Sequence, residues 1–290
     1  MLKFSEQTIK TIQSLRKKGN SYKMIAKTLQ LSPASIHKYS KHTSLTSKAR
    51  KILKEKEKRK QITFASRYAK EKPILTPNLD YNFSSLLGHL FFDGSVSACD
   101  GKYTLEYTNS SLGAINAFSY KMKRCFGLKT TKIYKGEGKN IDWYAVQIHS
   151  KKAYKYLLDI SYSFSTSKNI GVPKIIFDST PELKSAFLRA FWDDEGCISN
   201  SGSLTGTTVS EKMAIDLIAL HKSFGIICGI EKINQKKRNP CFRLIIRRSK
   251  ENWQNFIENV GFEHGIITKG HNIGKHKKEI LLEKFRRRYN

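Results

Sequence analysis

Two stretches about a hundred residues apart constrain this chain more than any other feature: LLGHLFFDG from Leu86 and LRAFWDDEG from Leu188. Set one above the other, they share a small residue at the third place (Gly88, Ala190), an acid at the eighth (Asp93, Glu195) and a glycine at the ninth (Gly94, Gly196). An apolar helix with little or no side chain at one point of its face lets a second helix approach nearly backbone to backbone. The glycine then lets the chain leave the helix, so each helix delivers a carboxylate at its C-terminal end. Paired in this way, the helices set Asp93 and Glu195 beside each other, where both repel the local dipoles and one another. A divalent cation resolves that conflict, and Mg²⁺ favours a few carboxylates completed by water and phosphate oxygens.

The segments behind the two stretches repeat as well. After Gly94, SVSACDGKYTLEYTN alternates as a hairpin turning at Asp100-Gly101, SLGAINAFSYKMKRCFG has helical spacing, TKIYKGEGKNIDWYAVQIHS reads as two strands and KKAYKYLLDI as a closing helix. After Gly196 come CISNSGSLTGTTVS, the helix EKMAIDLIALHKSFG, the strands ICGIEKINQ and CFRLIIRRS, and the helix ENWQNFIENVG. The order αββαββα therefore occurs twice, in an α+β chain.

Charge identifies the kind of partner. The 290 residues carry 53 Lys+Arg against 24 Asp+Glu, a formal net charge of +29. The excess runs from the first helix to the terminal KFRRRYN, as a surface covering a nucleic-acid duplex requires, whereas a membrane-anchoring tail would concentrate it at one end. No apolar run approaches the ~20 residues needed to span a bilayer, and the amphipathic N-terminus lacks the unbroken apolar stretch of a signal peptide. Five cysteines without a C-x-x-C pair support neither a disulfide framework nor a zinc ribbon. These features imply an intracellular protein, cytoplasmic or organellar, with no membrane partner.

Ahead of the repeats, residues 1–41 read as three short helices. Ser5 caps a run with Ile9, Ile12 and Leu15; Ser21 caps one with Met24, Ile25 and Leu29; Ser32 and Pro33 open a third through Tyr39. The layout resembles a helix-turn-helix of the resolvase or transposase type, with Ser32, Ala34, Ser35, His37 and Lys38 where bases and phosphates are met. A three-helix bundle that contacts protein is the alternative. Residues 42–80 form a lysine-rich linker, a solvated helix or connector, closing on KEKPILTPNLD.

The paired motifs, at their separation and with the same elements after each, resemble those of the LAGLIDADG homing endonucleases in their single-chain, two-repeat form, over about Phe83 to the C-terminus. The resemblance implies two pseudo-symmetric repeats, 81–178 and 179–290 with a basic C-terminal tail, packed through Gly88 and Ala190 as a monomeric pseudo-dimer. Its two sheets would straddle the major groove of a long double-stranded DNA site. Asp93 and Glu195 would be the catalytic pair, binding Mg²⁺ (or Mn²⁺), each helping to activate a water and stabilise the departing 3′ oxygen on one strand. The sixth place is Phe91 in one motif and Asp193 in the other. Phe92 and Asp194 stand at the seventh, where a small residue is usual, which bears on how closely the helices pack. His89 reads as a satisfied core histidine rather than a ligand.

Lys168 and Lys269 follow the closing helix of each repeat, as active-site lysines facing the charged transition state or as plain surface charges. Among alternating strand residues, Lys102, Glu106, Tyr107 and Asn109, with Thr205, Thr207 and Thr208, are candidates to read bases. Arg243, Arg247, Arg248, Lys132 and Lys135 are candidates for guanine or phosphate. Any of these can instead be an ordinary solvated residue. Trp143, Trp192 and Trp253 fall at core spacing. The function expected is a site-specific, metal-dependent double-strand DNA endonuclease. The alternatives are a non-catalytic DNA-binding transcription regulator and an RNA maturase whose partner is intron RNA. The start of the chain, without a nucleophilic Cys or Ser, argues against an intein.

Overall fold

The computed structural model describes residues 4–55, 73–130, 132–138, 141–165, 169–234, 239–263, 265–268 and 276–289. The chain divides into two compact units, Met1–Lys72 and Pro73–Asn290. In the first, α1 (Glu6–Lys17), α2 (Tyr22–Leu29) and α3 (Pro33–Ser40) start at the serines that the sequence marks. Ser5, Ser21 and Ser32 hydroxyls accept the backbone N–H of Thr8, Met24 and Ser35, each satisfying a helix-start donor. Ile12, Ile25, Ala26 and Ile36 form the small core. Met24, expected on the apolar face, is 53% exposed. A fourth helix, α4, is described over 47–55 within the lysine-rich segment, capped by Thr46, whose hydroxyl accepts the Ala49 N–H at 3.1 Å.

The second unit opens with α5 (Tyr81–Phe91), β1 (Gly94–Cys99), β2 (Lys102–Asn109), α6 (Leu112–Phe126), β3 (Ile133–Gly136), β4 (Trp143–His149) and α7 (Lys151–Ile160). A short helix, α8 (Lys174–Phe177), leads to α9 (Pro181–Asp194), β5 (Gly196–Ile198), β6 (Leu204–Thr208), α10 (Glu211–Lys222), β7 (Cys228–Ile233), β8 (Cys241–Ile246) and α11 (Lys250–Asn259). The two four-stranded sheets have the matching orders β1-β2-β4-β3 and β5-β6-β8-β7, with every pairing antiparallel. This is αββαββα twice. The β1–β2 hairpin turns at Asp100 (φ 50°) and Gly101 (φ 73°), the left-handed pair that an Asp-Gly turn supplies.

At the centre, α5 and α9 pack on each other, with every residue of α5 from Phe83 to Phe91 buried. A Cβ built on Gly88 would stand 2.5 Å from the Ala190 Cβ and 3.1 Å from the Phe187 carbonyl oxygen. Gly88 therefore admits no side chain while α9 is in place. Phe92 at the seventh place does not hold the helices apart. It lies edge-on to Phe187 and Phe191 of α9, with ring centroids 5.5 and 5.1 Å away.

The basic C-terminal segment forms a helix, α12 (Lys278–Tyr289), because Leu281, Leu282 and Phe285 recur at helical spacing and are buried. One expectation needs correction. Trp143 begins a strand rather than filling the core and is 41% exposed, whereas Trp192 and Trp253 are buried. All five cysteines are free thiols. Among the described residues no helix is long and apolar enough to cross a membrane.

The Gly88 contact predicts a double-mutant cycle in urea unfolding of the full chain. Gly88→Ala overpacks the helix crossing and loses about 1–3 kcal/mol, and adding Ala190→Gly recovers most of the loss. Stability also depends on His221, which is fully buried, accepts the Trp192 indole N–H at 2.8 Å and bonds Leu217 O at 2.6 Å. Burial pushes its pKa down from 6.5 to about 4. The unfolded chain thus takes up a proton near pH 6.5 that the folded chain refuses until about pH 4. The contribution is complete above the first value and lost towards the second, amounting to about 3 kcal/mol. In unfolding measured across that window, His221→Gln, which keeps an acceptor for Trp192, shows a smaller loss on acidification than the parent.

Candidate active site

Asp93 and Glu195 occupy equivalent places, each five residues beyond the contact pair Gly88 and Ala190. Helix α5 ends with Phe92 as its C-cap and Asp93 next; α9 ends with Glu195 itself as C-cap. Both acids are half-buried, so neither is sealed from solvent. The Asn109 side-chain amide donates to Asp93 Oδ2 at 2.8 Å, and the same nitrogen lies 3.3 Å from Asp194 Oδ1. One amide therefore joins the acid of the first motif to the residue just before the acid of the second.

Asp194 is fully buried. It accepts from the Tyr107 hydroxyl at 2.5 Å and pairs with His89 Nδ1 at 2.9 Å. His89 is thus a satisfied interior histidine, as its place on the helix suggests, and it faces the partner helix. Burial, and after it the Asp194 carboxylate, push the Tyr107 phenol well above its ordinary pKa, so it stays a donor. Asp193 Oδ1 accepts the Glu263 N–H at 3.0 Å. Its Oδ2 is buried with no hydrogen-bond partner among the described residues. Burial pushes the Asp193 pKa up to about 7, against the pull of His89 and Lys278. Lys121 Nζ, also buried, pairs with Glu263 at 3.0 Å and lies 3.5 Å from His89 Nε2.

The donor set suits a hard divalent ion. Among the described residues no group of three or more His, Cys, Asp and Glu side chains could by itself hold a metal. Two half-buried carboxylates offering only oxygen match an ion that keeps most of its shell for water and phosphate, as Mg²⁺ and Mn²⁺ do.

The remaining candidates divide by strand face. In β2, Leu105, Tyr107 and Asn109 point to the core, and register places Lys102, Thr104 and Glu106 on the other face opposite Cys99, Ser97 and Ser95. Tyr107 and Asn109 are therefore not base readers. Tyr107 is 0% exposed and stacked on Phe118, Asn109 is 4% exposed, and both are engaged by the acids. Thr208 is likewise buried. Lys102 and Lys132 are exposed, Lys132 lying over the Tyr134 ring. Lys135, on the edge strand β3, is paired with Asp142 at 2.7 Å.

In the second repeat Thr205, Thr207 and Arg243 share the face away from the core, Arg243 beside Glu231 at 3.2 Å. Arg247 and Arg248 are exposed beyond β8, and Arg248 donates to the Ser201 hydroxyl. In the first unit Ser32 caps α3, Ser35 bonds Ser32 at 2.8 Å, and His37 and Lys38 are exposed. Lys168 and Lys269 lie outside the described residues. The sequence reading missed Lys121 and Lys278, since nothing in a lysine-rich chain distinguishes a buried lysine from its neighbours.

A family model described as a LAGLIDADG-like domain matches residues 182–261. A DNA polymerase of Thermococcus aggregans is 31% identical over 153 residues, 51% of this chain, which spans only 8% of that protein's length. Among solved structures, the homing endonuclease I-DmoI in complex with DNA and Mn is similar at a TM-score of 0.47 and 16% identity, over 63% of this chain and 97% of that one. Full-length DUF199/WhiA from Thermatoga maritima is similar at a TM-score of 0.48 and 17% identity, over 65% of this chain and 58% of that one.

The inward position of Tyr107 has a measurable consequence. Tyr107→Phe removes a donor from a buried carboxylate and lowers stability in urea by about 1–3 kcal/mol. Lys102→Ala, on the outer face of the same strand, changes it by less than about 0.5 kcal/mol.

Proposed function

We propose that this chain, which carries a LAGLIDADG-like domain, is a site-specific double-strand DNA endonuclease using Mg²⁺ or Mn²⁺ at Asp93 and Glu195. One observation carries the reading: two half-buried acids end the two central helices at equivalent places, the first held by an amide that also bonds the residue just before the second, in a chain of net charge +29. Carboxylates so placed at helix C-termini are unfavourable alone and favourable around a cation. When bound, such an ion supplies Lewis acidity, lowering the pKa of its water and stabilising the departing 3′ oxygen.

The protein's own groups do the rest. Asn109 fixes the Asp93 carboxylate through its 2.8 Å hydrogen bond. The outer strand residues Lys102, Thr205, Thr207 and Arg243, with Arg247, Arg248, Lys132 and Lys135, engage the bases and phosphates of a long duplex site. The N-terminal helices, with Ser32, Ser35, His37 and Lys38 on or before α3, act as a helix-turn-helix that adds contacts outside the cut. Lys168 and Lys269 offset charge on the scissile phosphates. The working form is a monomer acting inside the cell.

The test is cleavage of a plasmid library carrying randomised sites. With Mg²⁺ the chain linearises plasmids bearing its site, and the Asp93→Asn, Glu195→Gln double variant binds the same site but cuts at least about 100-fold more slowly. Specific duplex binding indifferent to metal and to both acids would replace this reading with a DNA-binding regulator. Tight, specific binding of a structured intron RNA would replace it with a maturase.

A further inference from the structure

We infer that Lys278 is a positioning residue for Glu195, and through it controls cutting of one strand of the duplex. The inference rests on the endonuclease reading above but starts from a different observation. Lys278 is 0% exposed, and its Nζ lies 2.7 Å from Trp192 O, 2.7 Å from Asp193 O and 2.6 Å from Gly196 O. An ammonium has three donors and no acceptor. Here all three meet carbonyls, two from the last turn of α9 and one from the first residue of β5.

Those carbonyls bracket Glu195. The last C=O groups of a helix have no partner within it and carry the negative end of its dipole. Asp194 and Glu195 add to that charge, and Asp193 adds less because burial raises its pKa to about 7. The buried ammonium neutralises part of this concentration and pins the backbone on both sides of Glu195. Lys278 is itself fixed as the first residue of α12. Its N–H donates to Ile266 O at 2.7 Å, Phe285 packs on Trp253 at 5.4 Å, and Leu281 and Leu282 are buried. The first motif is held differently: Asp93 O accepts the Thr108 N–H at 3.3 Å, and its carboxylate takes the Asn109 amide. The two acids thus hang from unlike supports, one an amide within its own sheet and the other an ammonium from the C-terminal helix.

The experiment compares the parent with Lys278→Met in two ways. Hydrogen exchange in the metal-free full chain reads the support directly. The amides of residues 195–198 exchange faster in the variant, while those of residues 93–96 and of the β6–β8 ladder keep the parent rates. Strand-resolved cleavage of a plasmid bearing the selected site reads the consequence. The strand that Glu195→Gln leaves whole is cut about 100-fold more slowly, the other strand at the parent rate, and nicked circles accumulate.

Exchange that rises throughout the second repeat, or nowhere, overturns the inference, as does equal slowing of both strands. If the parent cuts no site, the endonuclease reading fails, and the exchange pattern alone decides whether Lys278 holds the turn. If Lys278→Met does not fold, Lys278→Arg, which keeps the charge but not the three-way geometry, is read by the same measurements and the same outcomes.

Discussion

The contact of Gly88 on α5 with Ala190 on α9 is the constraint on which the rest of the second unit depends. Because a Cβ at Gly88 would stand 2.5 Å from that of Ala190, this contact fixes the register of two helices that also touch on either side of it, from Ser84 on Leu183 to Phe92 on Phe187 and Phe191. Every residue beyond that point is then placed in pairs. Five residues on, both chains release an acid and then a glycine; Gly94 and Gly196 lie so close to the preceding turn, against Leu90 and Trp192 respectively, that a Cβ would collide with backbone. The aromatic rings of Phe92, Phe187 and Phe191 close around the crossing. Bulk beside the contact therefore reinforces a packing that bulk at the contact would prevent.

Polar groups inside such a helix pair are costly unless every one is matched. Asp194 brings a carboxylate to a position where a small apolar residue would pack, and three groups from the first repeat answer it: His89, Tyr107 and Asn109. The second repeat's acid is in this way solvated by the first repeat's side chains. Neither repeat could bury its half of this network alone, so the polar contacts enforce the pairing that the small residues permit. The same network extends to Asp93, coupling the order of the interior to the orientation of a half-buried carboxylate.

Much of this was legible in the sequence because it is periodic or duplicated. The motif repeat, the elements behind each motif and the serine caps all leave local signals, and α5, α9, both sheets and the three N-terminal helices stand where those signals put them. Tyr107 and Asn109 show a signal read too loosely: a strand alternates with period two, so they share a face with Leu105 and cannot share one with Lys102 and Glu106. Parity alone separates them. Lys278 shows the opposite limit, since its burial depends on α12 folding back to the end of α9, a long-range contact with no local trace. Trp143 and Met24 were misplaced for a related reason. Apolar character at the right spacing says which face a residue takes, not whether anything covers that face.

On the endonuclease reading, the repeats share a topology but present different surfaces to DNA. Among the described strand residues, the outer face of the first sheet carries Ser95, Ser97, Lys102, Thr104, Glu106, Thr108, Gln147 and His149 in register, with Cys99 and Ala145 between them, a surface rich in hydrogen-bonding groups. The second offers Thr205, Thr207, Arg243 and Glu231, interrupted by Cys197, Gly229 and Ile245. Its β5 has three residues where β1 has six. A duplex read by these two faces meets more polar contacts on one half than on the other, and phosphate contacts alone cannot make up that difference because they carry no sequence information. Such a protein selects an asymmetric target despite its pseudo-symmetric fold, and it reads the half beside the first sheet more stringently.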